Sequence, residues 1–142
     1  MSPRVRSLLA TLLLVLCILL LLWRHELIAR HPAGIALQGV AVLLMGWARI
    51  TFGMRSFNAS ATPTEGGLVT NGPYRYWRHP IYAAILLFLW AGVLSQGHAP
   101  TTVALLLAAG ATLMTAVRIH AEETLLRTTF SGYDAYASRT KR

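Results

Sequence analysis

The sequence predicts an all-α integral membrane protein: four transmembrane helices, with a cytoplasmic loop and a C-terminal helical tail meeting on one side of the bilayer. Three observations predict it. The 142-residue chain is 55% hydrophobic and only 13% charged, about half the charged share of a soluble domain. Four apolar segments, at about 7–23, 33–50, 81–96 and 101–117, each approach the length needed to cross a bilayer as a helix. The basic residues sit between these segments, unevenly distributed over the two sides. A net charge of +8 would otherwise suggest nucleic acid; here the bilayer accounts for it, and the expected partners are membrane lipids.

The first segment, Ser7 to Trp23, is a leucine-rich run without charge. Arg4 and Arg6 ahead of it fit a signal peptide, but a run this long with no small-residue cleavage site predicts a retained helix. Cys17 lies within it. A lone cysteine rules out an internal disulfide, and the expectation is a buried packing residue. The second segment, Ala33 to Ile50, contains only Arg49; Ile81 to Gln96 and Thr101 to Val117 contain no charge. With both termini cytoplasmic, eleven of the thirteen Lys and Arg residues fall inside, leaving Arg24 and Arg30 outside. That orientation satisfies the positive-inside rule. Residues 1–142 form one domain, with Asn58 to Gly67 (NASATPTEGG) a polar loop.

The chemistry collects in two places on the cytoplasmic side. The first is Asn71 to Tyr82, NGPYRYWRHPIY. Gly66-Gly67 and Asn71-Gly72-Pro73 are turn signals. Pro80 suits the first turn of the third helix, because the N–H it lacks would be unpaired there. The free N–H groups at that helix start suit an anion such as a carboxylate, with His79 adding a donor and Tyr82 a hydroxyl. Arg75, Tyr76 and Trp77 read better as an interfacial belt. The second place is Arg118 to Arg127, RIHAEETLLR, where the fourth helix leaves the membrane. Arg118 and Glu122 share a helix face. They form either an ordinary exposed ion pair, contributing about 0.3–0.5 kcal/mol, or the mouth of a pocket in which Arg118 clamps a carboxylate. His120 with Glu122 and Glu123 lacks the spacing of a helical metal site, so no metal is expected.

Taken together, LVTNGPYRYWRHPIY, the apolar hairpin and EETLLRTTFSGYDAYASRTKR resemble the isoprenylcysteine carboxyl methyltransferase family. That family belongs to a wider group of small membrane methyltransferases that includes the phospholipid methyltransferases. The resemblance covers about residues 50–142 and leaves the first helix outside. It implies S-adenosylmethionine-dependent methyl transfer at the cytoplasmic face, with an amphipathic or lipid-like acceptor. It implies cofactor contacts from Gly66, Gly67, Leu68, Val69, Tyr74, His79, Pro80, Ile81, Tyr82 and Glu122, and an acceptor contact from Arg118. Arg118 and Glu122 are the residues expected to carry the catalysis. Two features depart from the family pattern: Phe130 and Tyr133 stand one residue closer together, and only two spans precede the motif.

A carboxylate acceptor, of an isoprenylcysteine or another amphipathic molecule, is already an anion and needs no general base, which suits Arg118. The competing enzyme readings are a phospholipid or amine N-methyltransferase and a thiol S-methyltransferase; a non-catalytic scaffold is a further one. A small transporter is disfavoured because the apolar segments contain no acidic residue. The expected setting is a bacterial cell membrane.

Overall fold

The computed structural model describes residues 2–53 and 67–141. The described residues form five α-helices: α1 (Pro3–Trp23), α2 (Pro32–Phe52), α3 (Pro80–Leu94), α4 (Thr102–Thr129) and α5 (Tyr133–Arg139). A short 3-10 turn, Gly72–Arg75, precedes α3. The helix starts follow from local chemistry. Ser2, His31 and Thr101 each stand in extended backbone and accept a hydrogen bond from an N–H of the next turn. Proline occupies the first turn of α1, α2 and α3, where its missing N–H costs nothing.

Three helices, α1, α2 and α4, are long and apolar enough to cross a membrane. Leu43 (74% exposed), Ile50 (84%) and Leu106 (67%) point outward from the bundle, as side chains solvated by lipid do. The protein is thus a membrane protein whose described residues are organised as helices without a strand. The third apolar segment is shorter than the sequence suggested. Its helix has 15 residues and ends at Leu94, about 22 Å at 1.5 Å per residue. Gln96, expected inside that span, has left the helix to bond a neighbouring connection. The fourth helix, by contrast, continues well past Val117 as far as Thr129.

The helices pack in two pairs, α1 with α4 and α2 with α3, while α3 and α4 touch less extensively. The α1–α4 pair is antiparallel: Thr11 meets Arg118, and Arg24, just past α1, reaches Thr101, just before α4. Spacing in α4 explains the closeness of this pair. Ala104, Ala108, Ala111, Thr115 and Arg118 are all buried, at the three- and four-residue steps of one helix face. Small residues along it let the α1 backbone approach. Facing them on α1 are Ser7, Ala10, Leu14 and Leu21. The apolar core gathers Leu14, Leu21, Leu27, Leu89, Val93 and the α4 alanines. Cys17 packs against that cluster but is half-buried, not fully enclosed as expected.

At the end remote from Arg118, residues 24–31 cross from one pair to the other, and two glutamines satisfy their backbone. Gln38 Oε1 accepts from the Ala29 N–H (3.1 Å), and its Nε2 donates to the Leu27 carbonyl (2.8 Å) and the Phe88 carbonyl (3.1 Å). Gln96 Nε2 donates to the Glu26, Ile28 and Gly92 carbonyls. The connection lies so close to α3 that a Cβ on Gly92 would stand 1.8 Å from the Leu27 carbonyl oxygen. Glu26 completes the end by accepting from Arg24 Nε and from the Thr101 hydroxyl, each at 2.8 Å.

Two predictions follow from this packing. Gly92→Ala forces α3 off the connection and costs at least about 1–3 kcal/mol, read as a lowered thermal midpoint in detergent. Gly39→Ala, where a Cβ meets nothing within 4 Å, leaves the midpoint unchanged or raises it slightly. Equal midpoints for the two variants would show the contact to be slack. For Glu26, the hydrogen bond from Arg24 holds the carboxyl below its ordinary range, against the opposing effect of burial. A carboxyl depressed by folding stabilises fully above its unfolded value and loses that contribution as pH falls through its folded value. The stability advantage over Glu26→Gln is therefore complete at neutral pH and shrinks below about pH 4; thermal melts of both proteins across pH check this.

Candidate functional site

The loop ahead of α3 is pinned on both sides. Gly72 adopts φ +56, and a Cβ there would stand 2.5 Å from the Thr51 hydroxyl at the end of α2. A glycine thus meets both the backbone and the space requirement. Tyr74 is buried and its ring lies 5.4 Å from that of Phe52. On the opposite side the C-terminal tail runs beside the loop. The Arg78 N–H donates to the Lys141 carbonyl (2.8 Å), and the Lys141 N–H to the Tyr76 carbonyl (3.0 Å). The Tyr136 hydroxyl donates to the Tyr74 carbonyl at 2.7 Å.

Between loop and tail stands α4. Arg118 belongs to the same buried face as its alanines, so the helix periodicity that packs α1 against α4 also turns Arg118 inward. Its Nε–H donates to the Tyr82 hydroxyl and lies 3.2 Å from Glu122 Oε1, while Nη1 donates to the Thr11 hydroxyl. The Tyr82 hydroxyl in turn donates to Glu122. Arg118 also lies over the Tyr82 ring, 5.6 Å from its centroid. With the two side chains 9% and 22% exposed, Arg118 and Glu122 form a largely enclosed pair rather than an ordinary exposed one.

One residue further along α4, Glu123 is wholly enclosed. Arg78 Nη1 reaches its Oε1 at 3.0 Å, and His79 Nε2 reaches the same oxygen at 3.2 Å. His79 Nδ1 lies 3.9 Å from Glu122 Oε2, so the imidazole stands between the two carboxylates. Its Nε2 lies within hydrogen-bond reach of Glu123 Oε1. Arg127 Nη2 approaches Glu123 from the next turn at 3.9 Å. Tyr133, fully buried at the start of α5, closes the cluster beside Arg127. The shortened spacing before it folds as a tight turn, with the Tyr133 N–H donating to the Phe130 carbonyl at 3.1 Å.

The tyrosines around this cluster are held neutral. Burial, followed by the charge of Glu123, raises the Tyr133 hydroxyl. Burial and the neighbouring Tyr133 push Tyr136 up to about 12. Tyr74 is also raised, chiefly by burial, with Tyr136 and Glu122 adding to the effect. A hydroxyl that keeps its proton remains a donor, as the Tyr136 bond to the Tyr74 carbonyl requires.

The structure therefore brings together His79, Tyr82, Arg118 and Glu122. It adds Arg78, Glu123 and Thr11, none of which the sequence singled out for a role. Pro80 is buried and Ile81 half-buried at the start of α3. Tyr74 packs mainly against α2, though its hydroxyl senses the Glu122 charge. Gly67 is exposed with φ +83, and Leu68 and Val69 are half-buried on the approach to the 3-10 turn. Gly66 lies outside the described residues. A signal for Glu123 did exist: an arginine beside the α3 start, if not in the headgroups, needs a counter-charge, and the adjacent Glu122-Glu123 pair is the acidic cluster nearest the helix exit.

Removing one partner of a buried ion pair leaves the other charge uncompensated, at about 3–5 kcal/mol. Arg78→Ala and Glu123→Ala are each expected to destabilise by that order in detergent melts. The double variant should lose clearly less than the sum. Strict additivity would mean that the two side chains do not support one another.

The family model for the isoprenylcysteine carboxyl methyltransferase family matches residues 33–128. No significant match was found among curated proteins or among solved structures. The matched residues contain α3 and nearly all of α2 and α4, and with them every side chain of the cluster except Thr11 and Tyr133. The chain belongs to the isoprenylcysteine carboxyl methyltransferase family, a family of membrane methyltransferases.

Proposed function

We propose that the protein transfers a methyl group from S-adenosylmethionine to the carboxylate of an amphipathic acceptor, with an isoprenylcysteine as the nearest chemical type. The observation that carries this reading is the Tyr82 hydroxyl, which links the start of α3 to the Arg118–Glu122 pair of α4. It joins a site suited to the donor and a site suited to the acceptor. The donor set fits S-adenosylmethionine. No side chain caps α3, and its first turn carries no acidic residue, so the N–H groups of Ile81 and Tyr82 can receive the cofactor's carboxylate. Glu122 can accept from its hydroxyls or face its positive charge.

When bound, the cofactor supplies an electrophilic methyl group on a sulfonium. An acceptor carboxylate oriented by Arg118 could take that methyl group, the new C–O bond replacing the C–S bond and the electron pair staying on sulfur. No proton need move. The protein's part is positioning and exclusion of water, which can supply roughly 7–11 kcal/mol of the barrier in favourable cases. Arg118 orients the acceptor carboxylate; Tyr82 and Glu122 hold Arg118; His79 and Glu123 hold the α3 start against α4. In this reading α3 forms a fourth, short span, both termini are cytoplasmic, and the membrane is a bacterial cell membrane. The local bilayer thins, or residues flanking Pro80–Leu94 cover the remaining depth.

Calorimetric titration of S-adenosylmethionine into detergent-purified protein is expected to show saturable binding. His79→Ala and Glu122→Ala should each weaken it about tenfold or more. Arg118→Ala should retain binding yet lose methyl transfer to N-acetyl-S-farnesylcysteine. Transfer to phosphatidylethanolamine but not to that carboxylate would replace this reading with amine N-methylation. A folded protein that binds no S-adenosylmethionine would overturn both.

A further inference from the structure

Arg118 is held from two helices that otherwise belong to different pairs. On the α3 side, Tyr82 accepts from Nε. On the α1 side, Thr11 accepts from Nη1. Two fixed nitrogens define the plane of a guanidinium, and a planar fork recognises a carboxylate only in that plane. The Thr11 hydroxyl has the right polarity for its task. Its single proton is donated to the Ser7 carbonyl at 2.8 Å, so it turns lone pairs toward Arg118. Thr11 lies outside the matched residues 33–128. The helix that completes the arginine's setting is thus one that the family match does not include.

We propose that Thr11 is a positioning residue for the acceptor end of the site. By holding Nη1 it sets the plane of the Arg118 guanidinium, and through that plane the affinity for an acceptor carboxylate. The role of Arg118 toward the acceptor rests on the function proposed above; the hold of Thr11 on Arg118 does not. Thr11→Val keeps the shape of the side chain and removes the acceptor. Nη1 then loses its bond to Thr11, and the acceptor meets the fork in more orientations. Thr11→Ser restores the hydroxyl without the methyl group. Ser7→Ala, one turn away, removes a buried hydroxyl that makes no hydrogen bond and serves as a control for general disturbance of α1.

The test has two readouts. In protein carrying ¹⁵N-arginine, the Arg118 signals are assigned by their loss in Arg118→Lys. Separate Nη1 and Nη2 signals are expected for the unsubstituted protein, Thr11→Ser and Ser7→Ala, because rotation about the Nε–Cζ bond is slow when Nη1 is held. Thr11→Val should merge them. In the methyl-transfer assay, Thr11→Val should raise KM for N-acetyl-S-farnesylcysteine about tenfold. Its kcat and S-adenosylmethionine Kd should stay within about twofold, and Thr11→Ser should restore KM. Separate Nη signals in Thr11→Val overturn the proposal, as does an unchanged KM or an equal loss of S-adenosylmethionine binding. Absence of cofactor binding by the unsubstituted protein would sink the proposed function alone, and the Arg118 signals would then decide whether Thr11 holds the fork.

Discussion

A carboxyl group cut off from solvent needs its charge and hydrogen bonds met within the protein, and the Glu123 side chain is wholly enclosed. Its partners, Arg78 and His79, stand immediately ahead of α3, so neutralising Glu123 ties the start of α3 to the far end of α4. That link matters because α3 and α4 pack less closely on each other than on α2 and α1. With it in place, Tyr82 comes opposite Arg118 and Glu122, and Tyr133 folds over the cluster. Without it, the two helix pairs would be joined at this end by the Tyr82 bridge and by the hydrogen bonds of the C-terminal tail to residues 74–78.

The two ends of the bundle meet the same constraint with different chemistry. Backbone that leaves a helix near a bilayer must find hydrogen-bond partners within the protein. At the remote end the amides of Gln38 and Gln96 supply them, beside the Arg24–Glu26 ion pair. At the site end the Lys141 backbone and the Tyr136 hydroxyl supply them, while the arginines, glutamates and histidine beside them pair with one another. Close packing between α1 and α4 serves both ends, since a stripe of alanines sets the helix separation and the same buried face carries Arg118.

Much of the site was legible in the sequence because its main residues are local. His79, Pro80 and Tyr82 are placed by the start of one helix, and Arg118 and Glu122 by one turn of another. That the two groups meet was inferable from the short connection between α3 and α4. Less legible were the residues whose role depends on a partner far along the chain. Arg78 belongs in composition to the interfacial belt, yet its guanidinium lies against a glutamate 45 positions away. Thr11 is one small residue in a leucine run, and only the antiparallel register of α1 and α4 sets it beside an arginine 107 positions on. The expected span ran to Gln96 because residues 95 and 96 are uncharged, while the helix stops at Leu94. The Ser95 carbonyl and the Gln96 amide are taken up by the α1–α2 connection.

The sequence by itself determined the class of the protein, its helices and the two chemical stretches. Apolar content, turn residues and helix periodicity act over a few neighbours, and their effect can be read without knowing what lies across the bundle. Tertiary structure alone decided which charges pair. Arg118 could have met water, Glu122 or a headgroup, and Glu122 and Glu123 are adjacent and equal in type. Burial separated them: the face turned toward α3 excludes solvent around Glu123 and requires it to hold Arg78 and His79, whereas Glu122 keeps some exposure beside Tyr82 and Arg118. The cost of an unpaired charge depends on its distance from water, and that distance is a property of the assembled bundle.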